Sequence, residues 1–138
     1  AWSGYPQARS RLLASAQKAR GDLIVVTGDS HNGWAFDLSE GGKPAGVEFG
    51  GHSVTSTGYE AVTKGTDPQL IAKTLVETSR GGLKWMDASN RGYMHLALTP
   101  QAATNNWVFM ESVGTRTLAT KPGHRMTVRP GRKVLEAA

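Results

Sequence analysis

A short apolar run behind a predicted helix most constrains how this chain can fold. Residues 23–27 are apolar on both faces and rich in β-branched side chains, as is typical of a buried, parallel strand. Upstream, Pro6 suits a first helical turn, apolar residues follow at helical spacing, and Gly21 is a stop signal. A helix, a short turn and a buried strand predict a layered fold of the α/β class, α+β-like in its organisation.

The length and composition limit the classes of protein. With 138 residues the chain predicts a single domain over 1–138, in which 114–138 form a basic terminal hairpin or tail. No apolar run approaches the roughly 18–20 residues of a membrane span, so no membrane association is expected. The lack of cysteine excludes disulfides, Cys-based zinc sites and a thiol nucleophile. No signal peptide is recognisable, and the first residues look like the middle of a longer chain.

Further elements follow from local patterns. Strands are predicted at 34–38 and 46–49, and a turn at 39–44 joins them. A helix at 68–77 has Asp67 as its N-cap and Pro68 at its first position. Strands are predicted at 93–99 and 106–113, followed by a hairpin around Pro122 and Gly123.

The positive charge is concentrated near the end of the chain. Between Arg116 and Lys133 there are six basic residues and no acid, whereas the remaining ten basic residues face eleven acids. Such a stripe could bind a polyanion or nucleic acid through phosphate contacts. The alternative is a solvated hairpin whose acidic partners lie elsewhere. We favour the alternative, and expect no nucleic-acid partner, because no aromatic residue interleaves the basic ones.

The segment from Gly28 to Asn32 is the strongest candidate for chemistry. Asp29 and His31 are two residues apart at the end of the predicted strand, so a continued extended backbone would point both side chains to one side. A carboxylate and an imidazole there could bind a divalent metal, and Asn32 offers another oxygen for metal or substrate. The alternative is an aspartate that caps a turn beside a surface histidine.

Ser30 permits a second hypothesis for the same segment. Gly28-Asp29-Ser30 after an apolar strand resembles the nucleophile block of GDSL-type esterases. That family pairs its serine with a histidine three positions after an aspartate, and no aspartate of this chain has one. A serine without a base is a poor nucleophile, so this esterase is the weaker alternative.

The other histidines suggest less. His52, after two glycines, could be a metal ligand but is more simply a turn residue, and His95 lies in a predicted strand. His124, in the basic tail, is expected to be solvated.

Several motifs occur in a characteristic order along the chain. They are Trp2-Ser3-Gly4-Tyr5-Pro6, Thr27-Gly28-Asp29-Ser30-His31, Val47-Glu48-Phe49, Arg91-Gly92-Tyr93 and Leu98-Thr99-Pro100. In this order they resemble the C-terminal part of the PhoD-like alkaline phosphatase/phosphodiesterase family of metallophosphoesterases, over about residues 2–113.

The resemblance implies half of an αββα sandwich with a mixed sheet, and hydrolysis of phosphate esters by a metal-activated water. It also implies export from the cytoplasm to the periplasm or beyond, and iron with calcium or another two-metal set. Asp29 and His31 match the family's metal-ligand positions. Trp34, Arg91 and Tyr93 are assigned to the pocket edge or to a structural role.

The family's other ligands come from an aspartate-rich N-terminal half with no counterpart here. We therefore expect a C-terminal fragment of a longer enzyme whose partners are a phosphate ester and the missing N-terminal half. By itself the fragment should have little or no activity, and no catalytic residue is assigned within it.

Overall fold

The computed structural model describes residues 2–137, without the side chain of Ser3. The helices are α1, Pro6–Lys18, and α2, Pro68–Thr78, with short 3-10 helices at Trp2–Gly4 and Tyr59–Ala61. The strands are β1 Leu23–Thr27, β2 Gly33–Glu40, β3 Lys43–Gly50, β4 Leu83–Asp87, β5 Gly92–Leu98, β6 Ala103–Met110, β7 Thr120–Val128 and β8 Glu136–Ala137. Among these residues no helix is long and apolar enough to cross a bilayer.

The strands form two sheets of four. The first has the order β1-β3-β2-β4, and the second has the order β5-β6-β7-β8. In the first sheet β1 is parallel to β3 and the other pairs are antiparallel, so the sheet is mixed, as expected. The second sheet is antiparallel throughout.

The core lies between the two sheets. Val47 and Phe49 of β3 are fully buried and pack in one cluster with Trp107 and Phe109 of β6. The indole of Trp107 ties the layers together, because its Nε1 donates to the Gly50 carbonyl at 2.8 Å. Both helices cover the outer face of the first sheet, with Leu13 of α1 and Ile71 of α2 buried against it. The chain is thus a mixed α/β sandwich of helices, sheet and sheet, and this fold class confirms the prediction.

Both helices begin as the sequence predicts. Proline occupies the first turn of each, and in α2 the Asp67 carboxylate accepts from the Gln69 backbone N at 2.9 Å. The turn between β2 and β3 consists of Gly41 and Gly42 alone, within the predicted turn at 39–44. Their positive φ angles suit a two-residue hairpin.

The strands differ from the sequence predictions in four respects. The strand β1 is parallel but lies at a sheet edge, so Val26 is 55% exposed instead of buried. The strand β4 was not predicted, because its five residues stand between glycines and a polar turn. Its Lys84 forms an ion pair with Asp37 at 3.5 Å. The strand β6 begins and ends three residues earlier than the predicted 106–113, and its polar Asn105 is accommodated fully buried.

The predicted turn at Pro122 and Gly123 is the fourth correction. Residues Thr120–Val128 form one continuous strand, β7, and the chain turns between 129 and 135 before β8. The register shifts between Trp107 and Phe109 of β6, which shows that a β-bulge in β7 absorbs the proline and the glycine.

Candidate functional site

The segment after β1 is a tight turn instead of extended backbone. The Ser30 backbone N donates to the Gly28 carbonyl at 2.8 Å, and both Asp29 (φ 70°) and His31 (φ 63°) are left-handed. The premise that an extended backbone aligns the two side chains was therefore wrong. A non-glycine residue in this conformation costs about 1–2 kcal/mol, although Asp and His adopt it more readily than most. Strained residues of this kind concentrate at functional sites.

The imidazole of His31 is oriented by the chain itself. Its Nδ1 lies 2.6 Å from the Thr57 carbonyl oxygen. Because a carbonyl can only accept, Nδ1 carries a proton, and in the neutral ring Nε2 keeps its lone pair. Metal-binding histidines commonly have their second nitrogen fixed in this way, which sets both the tautomer and the ring orientation.

The loop of residues 51–60, here called the 51–60 loop, holds the turn in place. Its Gly51 backbone N donates to the Thr27 carbonyl, and its Ser53 backbone N to the His31 carbonyl at 3.4 Å. Asn32 is fully buried, and its Oδ1 accepts from the Tyr59 backbone N at 2.9 Å. The Asn32 oxygen proposed for metal or substrate is therefore engaged within the chain.

An ion pair between the buried Arg91 and the partly exposed Glu60 fixes the other end of the 51–60 loop. The guanidinium of Arg91 is 7% exposed and contacts the carboxylate of Glu60. It also donates to the carbonyls of Ser89 and Asn90, both at 2.9 Å. Burial by itself raises the pKa of Glu60, but the Gly58 backbone N–H and the guanidinium outweigh it and the pKa falls below its usual value. Arg91 thus acts on the site through the 51–60 loop.

The side chain of His52, within this loop, is buried in the interior, contrary to the expectation of a turn residue. It is 9% exposed, and its ring makes an edge contact with Phe109 at 5.1 Å between centroids. Within residues 2–137 neither ring nitrogen has a hydrogen-bond partner. Burial lowers the pKa of His52; the carboxylate of Asp87 opposes this shift and the guanidinium of Arg91 adds to it. Burial therefore favours the neutral form of the His52 imidazole.

Asp29 faces a different environment from His31. A cavity of about 730 Å³ lies between α1 and the outer face of the first sheet. Asp29 and Ser30 line it together with mainly apolar side chains, among them Leu12, Val25, Trp34 and Phe36. Trp34 donates from Nε1 to the Ser30 Oγ at 2.6 Å. An indole N–H cannot accept a proton, so this contact does not supply the base that an esterase serine needs.

The remaining candidates lie apart from this turn. Tyr93 is 51% exposed on β5, opposite Val108. In the basic stripe, Arg129 pairs with Glu136 and Lys133 donates to the Ala16 carbonyl. Part of the positive charge is therefore neutralised or tied down within the chain.

The residues that orient the turn were not identified from the sequence. Thr57 acts through its backbone carbonyl, which any residue type would supply, so its role could not be predicted. Glu60 could have been noticed, since it is the only acid between Glu48 and Asp67. Within 2–137 no group of three or more His, Cys, Asp or Glu could hold a metal ion. Asp29 and His31 by themselves are therefore too few ligands for a complete metal site.

Three comparisons bear on the identity of this chain. Residues 1–107 match the family described as PhoD-like phosphatase. Alkaline phosphatase D of Bacillus subtilis (strain 168) is 28% identical over 134 residues, which cover 93% of this chain but 21% of that protein. A solved structure described as that of PhoD superposes with a TM-score of 0.75 at 19% identity, over all of this chain and 26% of the other. The chain thus spans about a quarter or less of the length of these relatives.

Proposed function

Because the chain belongs to the PhoD-like phosphatase family, we propose that it is the C-terminal part of a phosphatase or phosphodiesterase. The enzyme would hydrolyse a phosphate monoester or diester, so that water and the ester become an alcohol and a phosphate or phosphomonoester. In this proposal Asp29 and His31 are metal ligands.

The fixed tautomer of His31 is the observation that carries the proposal. Nδ1 of the neutral ring would donate a hydrogen bond to the Thr57 carbonyl, which leaves Nε2 as a nitrogen ligand. Asp29 would add a hard oxygen ligand, and its carboxylate is exposed at the end of the large cavity. A bound metal centre would lower the pKa of a water molecule and stabilise the negative charge that develops on the phosphate.

The remaining ligands would come from the missing N-terminal half. Two metal ions need more ligands than one carboxylate and one imidazole provide. The N-terminal half would pair with the outer edge of β1, which no strand within residues 2–137 occupies. It would also cover the cavity in which Asp29 lies.

Metal content is the first measurement. We expect the purified 138-residue chain to bind iron, calcium or zinc weakly, and Asp29→Asn/His31→Asn to abolish that binding. Asparagine is the better replacement because it tolerates the left-handed backbone that both residues adopt. Glu77→Gln, an exposed acid of α2, serves as the control. Equal metal content in the double variant and the control would refute the assignment of these ligands.

Activity is tested with and without the remainder of the enzyme. We expect negligible hydrolysis of p-nitrophenyl phosphate and bis-p-nitrophenyl phosphate by the 138-residue chain alone. The part of a relative such as the Bacillus protein that precedes the matched segment, supplied in trans or as a fusion, should restore it. Rapid hydrolysis by the chain alone would contradict the proposal that this part is inactive.

We also propose that the parent enzyme is exported, as the family resemblance implies. Cell fractionation tests this directly, and recovery of the parent enzyme in the cytoplasm alone would contradict it.

A further inference from the structure

The outermost strands on one side of the sandwich are β1 in the first sheet and β5 in the second. They lie over one another, because a Cβ at Gly51, whose amide bonds to the Thr27 carbonyl at the end of β1, would be 3.1 Å from Cε of Met94 on β5. On the opposite side Trp85 of β4 stacks on His124 of β7 with centroids 4.3 Å apart. The surface formed by β1 and β5 is called here the β1–β5 flank.

The backbone of β5 is open along its outer edge. The Thr99 backbone N, directly after β5, donates to the Ala102 carbonyl at 2.9 Å, so this residue bonds within the hairpin of β5 and β6. Bonded and non-bonded residues alternate along an antiparallel pair. The Gly92 amide accordingly points away from β6, and the Ser53 carbonyl accepts from it at 3.0 Å. By the same alternation, the further amides that point to the open edge are those of Met94, Leu96 and Leu98.

Side chains that face the layer between the sheets are left exposed at this flank. Leu98 lies opposite the buried Ala103 and therefore on the inner face of its sheet, yet it is 68% exposed. In β1, Ile24 packs against the core, and Val26 faces the same way two residues later but is 55% exposed. The apolar layer between the two sheets is therefore not closed at the β1–β5 flank.

The two sides of the sandwich also differ in how their edges are protected. Edge strands that stay unpaired are commonly short or carry charged residues or proline. At the opposite side β4 has five residues and includes Lys84 and Asp87, and β8 has two residues. The seven residues of β5 include neither a proline nor a Lys, Arg, Asp or Glu, and the same holds for the five of β1. The β1–β5 flank is thus suited to pairing.

We propose that the β1–β5 flank is the docking surface for the part of the enzyme that precedes this chain. That part adds one strand beside β5 as well as one beside β1, and its apolar side chains close the layer between the sheets. This chain covers 21% and 26% of its relatives, so ample further chain is present in such enzymes. The inference rests on the proposed function for the identity of the partner, and it is independent of the metal ligands.

Hydrogen exchange resolved to single residues tests the proposal, by comparing the 138-residue chain with the same residues in the intact parent enzyme. We expect the amides of Met94, Leu96 and Leu98 to exchange roughly 100-fold or more slowly in the parent enzyme, because a neighbouring strand then bonds to them. The alternate amides serve as an internal control, since they bond to β6 in both proteins and should change far less. These are the amides of Tyr93, His95 and Ala97.

Leu98→Asp, made in both proteins, tests the apolar layer. The 138-residue chain should keep its stability, since Leu98 is 68% exposed there. In the parent enzyme the exchange of the Met94 and Leu96 amides should become roughly tenfold faster or more, because the burial of one leucine is lost. Leu118→Asp is the matched control, since Leu118 is 94% exposed and lies between β6 and β7, so it should have no effect in either protein.

The proposal is overturned if the outward amides of β5 exchange equally fast in both proteins, or if Leu98→Asp is as harmless in the parent enzyme as Leu118→Asp. It is also overturned if sedimentation shows that the 138-residue chain dimerises and thereby protects these amides, which would assign the flank to a second copy. Protection in a parent enzyme that hydrolyses neither p-nitrophenyl ester would support the docking flank and refute the proposed function. Hydrolysis without protection would do the reverse.

Discussion

The two sides of the Asp29–His31 turn are built differently. On the His31 side, hydrogen bonds connect the 51–60 loop to the His31 imidazole and to the Asn32 amide. The ion pair of the buried Arg91 with Glu60 secures the end of this loop. On the other side, Asp29 and Ser30 are exposed at the rim of a large, mainly apolar cavity. The two proposed ligands therefore depend on different parts of the enzyme. His31 is oriented by this chain, whereas Asp29 faces the region that the N-terminal half is proposed to cover.

Among the variants that test this contrast, we expect Arg91→Ala to have the largest effect on stability. It removes a buried cation and leaves the Glu60 carboxylate and two carbonyls without their donor. We expect unfolding in urea to become about 2–3 kcal/mol easier, because two carbonyls lose a buried donor, whereas the Glu60 carboxylate, 32% exposed, is partly solvated. The His31 ring should also lose its single tautomer, which nitrogen NMR detects.

Lys73→Ala is the control for Arg91→Ala. It breaks an ion pair with Glu77 whose two side chains are 70% and 63% exposed, and it should cost about 0.5 kcal/mol or less. If Arg91→Ala cost no more than Lys73→Ala, the 51–60 loop would not be held by its ion pair.

Gly58→Ala tests the packing of the same loop. A Cβ there would lie 2.6 Å from Oδ1 and 2.7 Å from Nδ2 of Asn32, and that amide is fully buried. We expect a loss of about 1–3 kcal/mol in urea unfolding, as is typical of overpacking. Gly21→Ala should be neutral or slightly stabilising, because its Cβ would meet nothing within 4 Å. Equal stabilities of the two variants would show that Asn32 can move aside.

The pH dependence of the free energy of unfolding tests the burial of the His52 and His124 imidazoles. Burial lowers the pKa of His52 and of His124 from the value of 6.5 that each has when unfolded. Below that value the unfolded chain binds more protons than the folded one, so stability falls as the pH falls through 6.5. We expect the double variant His52→Leu/His124→Leu to lose less stability than the unsubstituted chain as the pH falls through 6.5. His95→Gln, at an exposed position of β5, should leave it unchanged. A slope that survives the double substitution would assign the acid sensitivity to other groups.

The contrast also explains what the sequence could predict. Helix starts, the parallel strand and the alternation of Trp107 and Phe109 follow from local patterns, and the structure confirms them. The left-handed turn could not be predicted in this way, because the hydrogen bonds of His31 to Thr57 and Ser53 join residues more than twenty positions apart. The burial of His124 was unpredictable for a related reason, since the Trp85 on which it stacks belongs to the strand β4 that the pattern missed.

The smallest expected effect lies on the open side of the turn. Asp29→Asn keeps a residue that tolerates positive φ, and the carboxylate is exposed, so stability should change by about 0.5 kcal/mol or less. Asp29→Ala should cost about 1–2 kcal/mol, because alanine is strained in the left-handed region. Urea unfolding of both variants separates backbone strain from side-chain contacts. If Asp29→Asn were as damaging as Asp29→Ala, the carboxylate would have a structural partner within this chain, and the contrast between the two sides would fail. If Asp29→Asn were as stable as the unsubstituted chain but no longer bound metal, the carboxylate would be required for binding and not for folding.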